Sequence, residues 1–242
     1  FLSALIEEYA DEWGNKPMFH YRWTYEADQQ AAGDRLARSM MPHLGDAEVA
    51  GAIEMIKTRM VPRLRFVGST PETLEAIEGS YRRQLAILEP HLARRPYLFG
   101  GRPALADFGL AGQLYECSID PTPAAILARE APHAKTWIER MLEPRVEGDF
   151  ESWPTLRDGL TPLLRDEVGA VFLPWSDANA RALAAGEKTF SLTLGGHPFS
   201  QDAQKFHARS LGALRERYAR VADRSALEPI LAETGCLRWL TA

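Results

Sequence analysis

The sequence has only two cysteines, Cys117 and Cys236, in 242 residues. That excludes a disulfide framework, and their wide separation excludes a paired metal site. Histidine is thinly spread: His20, His43, His91, His133, His197 and His207 share no His-Glu-x-x-His or other ligand spacing, so no metal centre is expected. Glycine never occurs as Gly-x-Gly-x-x-Gly, as a P-loop or as a Gly-x-Ser-x-Gly elbow. Nucleotide-phosphate cradles and a strand-to-helix serine nucleophile are thereby excluded. Positive charge is short: 28 Lys and Arg face 33 Asp and Glu, a net charge of -5. Without a basic cluster, nucleic acid is not an expected partner. No run approaches roughly 18 uninterrupted apolar residues, so no membrane partner is expected. Phe1 to Glu8 carry two acids within their apolar part and do not read as a secretory signal. A reducing, cytoplasmic setting is the expectation. Neither a repeat at solenoid periods nor a low-complexity tract is found.

What is present is a succession of helical patterns. Apolar content of 45% and charge of 25% are those of a globular protein of one large domain or two small ones. Leu2, Leu5, Ile6, Tyr9 and Trp13 recur at helical spacing; Gly14, Asn15 and Pro17 are expected to break or kink that helix. An aromatic cluster follows, Phe19, His20, Tyr21, Trp23 and Tyr25. It admits two readings, packing in a core or a wall for a flat or apolar ligand. Helices are predicted over 24–40, 46–61 and 71 to about 94. The last has Thr70 as N-cap, Pro71 at the first helical position, and Leu74, Ile77, Tyr81, Leu85, Leu88 and Leu92 on one face. Residues 105–117 are apolar almost all round, which predicts a central core helix. Beyond a connector at 143–154, residues 155–185 read as helix kinked or split by Pro162 and Pro174. Residues 188–200 change to period two around Gly195-Gly196, a small hairpin. Helices over 202–221 and about 225–234 lead to an apolar tail, Cys236 to Leu240. Cys117 lies on the core pattern and is expected to be inert; Cys236 is the more reactive candidate.

The stretch Tyr97-Leu98-Phe99-Gly100-Gly101-Arg102-Pro103-Ala104-Leu105-Ala106-Asp107-Phe108 joins two of these helices. Gly100 and Gly101 tolerate positive φ, and Pro103 fixes the chain before the next helix. Asp107 stands where a carboxylate accepts backbone N–H groups and meets the positive end of a helix dipole. With the long helix before it and Pro132-His133-Ala134-Lys135-Thr136-Trp137-Ile138-Glu139-Arg140-Met141 after it, the block from about Glu72 to Leu142 resembles the C-terminal domain of the glutathione S-transferase superfamily. That family has apolar residues, a Gly-x-x-Pro-x-x-Ala-Asp turn and a buried central helix. Residues 1–66, with Tyr-Ala-Asp-Glu-Trp and Phe-His-Tyr-Arg-Trp, resemble the opening helices of bacterial members. Residues 160–242 are similar to a C-terminal extension in some of them. One departure is Ala104, where the family carries Ser or Thr. The missing hydroxyl removes half a capping box, worth about 1 kcal/mol.

The resemblance implies an all-α fold: a glutathione S-transferase C-terminal-like helical bundle over residues 1–150 and a helical extension over 151–242, packed on it and carrying the hairpin near 188–200. It implies the electrophile-side domain of a glutathione S-transferase-like protein, the intact parent conjugating glutathione to apolar electrophiles. Substrate-wall candidates are Tyr9, Trp13, Phe19, His20, Tyr21 and Trp23, with Asp107 as structural N-cap. No catalytic residue carries over. The family's activating Ser, Tyr or Cys stands on a thioredoxin-like domain, and no βαβ pattern occurs in this sequence. Glutathione would be a co-substrate held mostly outside this chain, which is expected to be inactive alone; a homodimer is also implied. The alternative is a non-catalytic binding or protein-interaction module on the same helical fold.

Overall fold

Helices make up nearly all the regular structure in residues 1–241, the part of the chain that the computed structural model describes. The first rod comprises α1 (Leu2–Tyr9), a π-helical segment (Ala10–Gly14) and α2 (Asn15–Thr24). Of the break or kink expected at Gly14, Asn15 and Pro17, a full break does not occur, and the irregularity there is the π-helical segment. The wide π turn just before Pro17 shifts the hydrogen-bond ladder, so the proline's missing N–H is not called upon. This rod lies alongside α6 (Leu105–Ser118), and the two run in the same direction. At one end the Ala106 N–H donates to the Ser3 hydroxyl (3.0 Å). Midway, a Cβ on Gly109 would stand 3.0 Å from Glu7 Cγ, so glycine sets the approach. At the far end Arg22 donates to the Glu116 carboxylate (2.9 Å).

The next two helices, α3 (Glu26–Met40) and α4 (Asp46–Met60), form a hairpin with its own small core of Ala37, Val49, Ala52 and Ile53. Two buried aspartates tie α3 and the rod to α7 (Pro121–Glu130). Asp28 accepts from the Thr122 N–H (2.8 Å), and Asp120 accepts from Arg22 (2.7 Å) and Arg35 (2.7 Å). Because so few apolar residues hold the hairpin, its amides are expected to exchange before those of the long helix and α6 in native-state hydrogen exchange. Exchange of α3 and α4 only at the global unfolding free energy would contradict this.

A 3-10 turn (Val61–Val67) leads to α5 (Leu74–Leu92), which starts three residues later than the Thr70-Pro71 signal suggests. Thr73 displaces that signal: its hydroxyl accepts from the Thr70 N–H (2.9 Å) and donates to the Gly68 carbonyl (2.6 Å). The turn before α6 follows the sequence. Asp107 is buried and accepts from the N–H groups of Leu98 (2.8 Å) and Ala104 (2.9 Å) and from Trp137 Nε1 (3.0 Å) on α8 (Pro132–Arg140). In place of the absent hydroxyl, the Asp107 N–H donates to the Ala104 carbonyl (2.9 Å).

The second part contains α9 (Trp153–Pro162), a π-helical segment (Leu163–Phe172) and α10 (Leu173–Ala184), split as the prolines require. It continues through β1 (Thr189–Leu194), β2 (His197–Asp202), α11 (Lys205–Ala219), α12 (Leu227–Glu233) and α13 (Leu237–Leu240). The strands pair antiparallel, and β2 extends two residues past the expected end. One hydrophobic core runs through both parts. Tyr9 meets Phe172 edge-on at 6.1 Å between ring centres, and Trp13 meets Trp175 at 5.6 Å. Cys236 is buried in this core, its Sγ 3.3 Å from the Leu164 carbonyl, and burial pushes its thiol up to about 11. The reactive tail cysteine is therefore not found; Cys117 is buried as expected, its thiol pushed up likewise. Among the described residues no helix is long and apolar enough to cross a membrane.

Candidate functional site

α6 is apolar almost all round, yet the fold covers only part of it. Ala106, Leu110, Ala111, Leu114 and Cys117 are buried. Leu105, Phe108 and Tyr115 stand 50%, 53% and 38% exposed, and with Gly112 they follow the i, i+3, i+7 spacing of a single helix face. The expectation of a helix enclosed by this chain is thus corrected: its apolar periphery exceeds what the other helices cover. Beside the stripe lies a 140 Å³ groove between Phe108 and Tyr115 on one side and Ile138, Met141 and Leu142 on the other. Leu142 is itself 62% exposed. An exposed apolar strip of this kind on a folded domain is a candidate interaction surface.

The six residues expected to line a pocket lie elsewhere. Tyr9, Trp13, His20, Tyr21 and Trp23 are buried, and Phe19 is half-buried, its ring 6.4 Å from that of Trp23. The structure gathers four of them into two groups, Tyr9 with Trp13 and His20 with Tyr21, and pairs Phe19 with Trp23 apart from both, rather than setting all six along one open wall. Tyr9 donates to Glu167 (3.1 Å) and accepts from Gln84 (2.8 Å), while Trp13 Nε1 donates to Ser80 (2.8 Å). In the second group His20 bridges Ser69 (2.8 Å) and Glu78 (3.1 Å), Tyr25 donates to Glu78, and Tyr21 stacks on Tyr25. Helix periodicity explains the placement. Tyr9 and Trp13 continue the stripe of Leu5 and Ile6, and the unbroken rod carries that stripe on to Lys16, His20 and Tyr21.

The polar centre of the first group was missed in the sequence. Glu167 is fully buried and accepts from Tyr9, Ser80 and Arg83 (2.9 Å). Burial raises its carboxyl to about 7 against the pull of Arg83, Ser80 and Tyr9. Lys16 is buried between the rings of Trp13 (5.5 Å) and Trp175 (4.1 Å) and donates to Gln201 Oε1 (3.0 Å). Burial lowers its amine to about 7. Neighbouring Glu12 accepts from His207 on α11. The available signal was a charge on an apolar stripe, Glu167 among Leu163, Leu164, Val168 and Val171, and Lys16 three residues after Trp13.

None of these groups is poised to activate a thiol. Burial and the adjacent Glu167 raise the Tyr9 phenol well above its ordinary value. Ser80 and Ser69 are buried and hydrogen-bonded, and both cysteines are enclosed. The arrangement instead fixes the rod and the second part against each other behind an open apolar face. It is an all-helical domain presenting one uncovered helix side. Residues 71–140, which span α5 to α8, match the family model described as glutathione S-transferase, C-terminal domain. Over this segment the chain is therefore similar to the C-terminal helical domain of the glutathione S-transferase superfamily. No curated protein and no solved structure matches the chain.

Proposed function

We propose that this chain is the electrophile-side domain of a glutathione S-transferase-like protein and that the uncovered stripe of α6 is the seat of the glutathione-activating domain. The observation that carries the reading is the exposure of Leu105, Phe108 and Tyr115 on a helix whose other sides form the core. A thioredoxin-like domain seated there would face the groove of Phe108, Ile138 and Leu142, giving an apolar electrophile a lined space. Tyr9, Trp13, His20, Tyr21 and Trp23 then act from behind, holding the rod that flanks α6, while Phe19 is the one candidate with a partly open ring. Glutathione is the co-substrate of the assembled protein, its site lying mostly outside this chain. Homodimerisation and a cytoplasmic setting accompany this reading.

Calorimetric titration of glutathione into this 242-residue chain is expected to give no binding heat. The longest product of the gene is expected to bind glutathione and to conjugate it to 1-chloro-2,4-dinitrobenzene. Phe108→Asp in that product is expected to abolish conjugation by placing a carboxylate in an apolar seat. Turnover by this chain alone would overturn the division of labour. Absence of glutathione binding in the longest product would favour a non-catalytic interaction module.

A further inference from the structure

A second concavity lies far from the α6 face in sequence, between the hairpin and the turn that precedes α5. It encloses 270 Å³ and is lined by Arg65, Gly68 and Thr70 on one side and by hairpin residues on the other. The pairing register explains which residues those are. Thr189 lies opposite Asp202, and Ser191 opposite Ser200, so these four side chains share the outward face of the two strands. Their inward neighbours, Phe190 and Gln201, are buried. The strands thus present three hydroxyls and a carboxylate to the cleft, facing the Arg65 guanidinium and the Thr70 hydroxyl.

The floor of the cleft is rigidly built. Gln201 accepts from Lys16 (3.0 Å) and Trp175 Nε1 (3.0 Å) and donates to the Phe66 carbonyl (2.7 Å). It ties the hairpin to both α2 and the 3-10 turn. Gly68 has φ of 72°, and a Cβ there would stand 2.7 Å from the Phe199 ring. No other residue lets the two walls come this close. By contrast the charged rim is uncommitted. Arg65 lies over the Phe66 ring (4.6 Å), and among the described residues neither it nor Asp202 forms an ion pair.

The geometry points to a binding site for a small zwitterion, an α-amino acid or dipeptide but not the longer, doubly carboxylated glutathione, with its carboxylate on Arg65, its ammonium on Asp202 and its amide groups on the hydroxyls of Ser191, Ser200 and Thr70. A guanidinium and a carboxylate lining opposite walls of one cleft are complementary to a molecule with one charge of each sign. Inorganic phosphate would meet one cation and be repelled by Asp202. A sugar would find no aromatic ring among the lining residues to stack on. The volume lies just below that of drug-sized pockets, roughly 300 Å³ and above, which suits a dipeptide. This inference is independent of the function proposed for the α6 face.

The test is a titration followed by 15N–1H NMR on the 242-residue chain, with alanylglycine as probe and propionate, propylamine, glucose and inorganic phosphate as controls. Alanylglycine is expected to give saturable shifts at the amides of Gly68, Ser191 and Ser200, with none of the controls saturating in the same range. Arg65→Gln and Asp202→Asn should each weaken alanylglycine by about tenfold or more, since each removes one charge-assisted contact. Both positions lie at the cleft rim, and an otherwise unchanged spectrum verifies the fold of each variant. Failure of alanylglycine to saturate, equal binding of propionate or phosphate, or undiminished affinity in either variant would each overturn the assignment.

Discussion

Asp107→Ala is expected to lower the stability of this chain by about 3–9 kcal/mol, because three buried donors lose their acceptor and each such loss costs about 1–3 kcal/mol. The donors come from three places: the Leu98 N–H in the turn, the Ala104 N–H at the start of α6, and Trp137 Nε1 on α8. A single carboxylate therefore joins a loop and two helices. One effect opposes the loss: burial raises the Asp107 carboxyl above the usual carboxylate value, so the ionised group is itself held at some cost. That places the net effect toward the lower end of the range. For a chain of this size, each kcal/mol displaces Tm by roughly 2–4 °C, so a fall of about 6–12 °C is expected. Asp107→Asn should recover only part of it. Its carbonyl can still accept from Leu98 and Trp137, but its NH2 would face the Ala104 N–H. A thermal melt of Asp107→Ala within about 2 °C of the parent would show that the residue is not the anchor described here.

Asp107 was legible in the sequence because its effect is local. Two of its three partners lie within nine residues, and the Gly-Gly-x-Pro chemistry of the turn announces the helix start. The stripe of α5 was legible for the same reason, since five turns of one period leave little choice of face. Thr70 shows the limit of such reading: the cap signal was genuine, but Thr73 offered a second set of hydrogen bonds and won the turn. Pro17 shows another limit, because a π turn absorbs what a simple rule treats as a break. The open side of α6 could not be read, since an apolar helix looks the same whether its cover lies within the chain or outside it. The buried polar centre was hidden by distance along the chain. Tyr9 and Glu167 are 158 residues apart, and Lys16 and Gln201 are 185 apart.

That same polar centre should make stability depend on pH with opposite slopes on either side of neutrality. Glu167 has its carboxyl raised by burial from 4.5 to about 7. An acid raised on folding is ionised more readily in the unfolded chain. Its contribution is therefore most favourable below the unfolded value and declines as pH rises from about 4.5 to about 7, by about 3 kcal/mol if the full displacement is expressed. Lys16 has its amine lowered by burial from 10.5 to about 7, with Glu12 opposing. A base lowered on folding carries its full penalty below about 7 and sheds it as pH rises to 10.5, by about 5 kcal/mol on the same reckoning. Together the two groups weaken the fold most near pH 7. Urea unfolding of Lys16→Met, compared with the parent across pH, isolates one arm. Methionine fills the space between Trp13 and Trp175 without a charge. Below pH 7 the variant should be the more stable by up to about 4 kcal/mol, the relieved penalty less one hydrogen bond to Gln201. By pH 10.5 the order should reverse, the variant being weaker by about 1 kcal/mol, the value of that hydrogen bond. Glu167→Gln isolates the other arm: its difference from the parent should change between pH 4.5 and 7 and stay level above. A Lys16→Met difference constant from pH 6 to 10.5 would mean that the amine reaches water in the folded chain and that the two tryptophans do not enclose it.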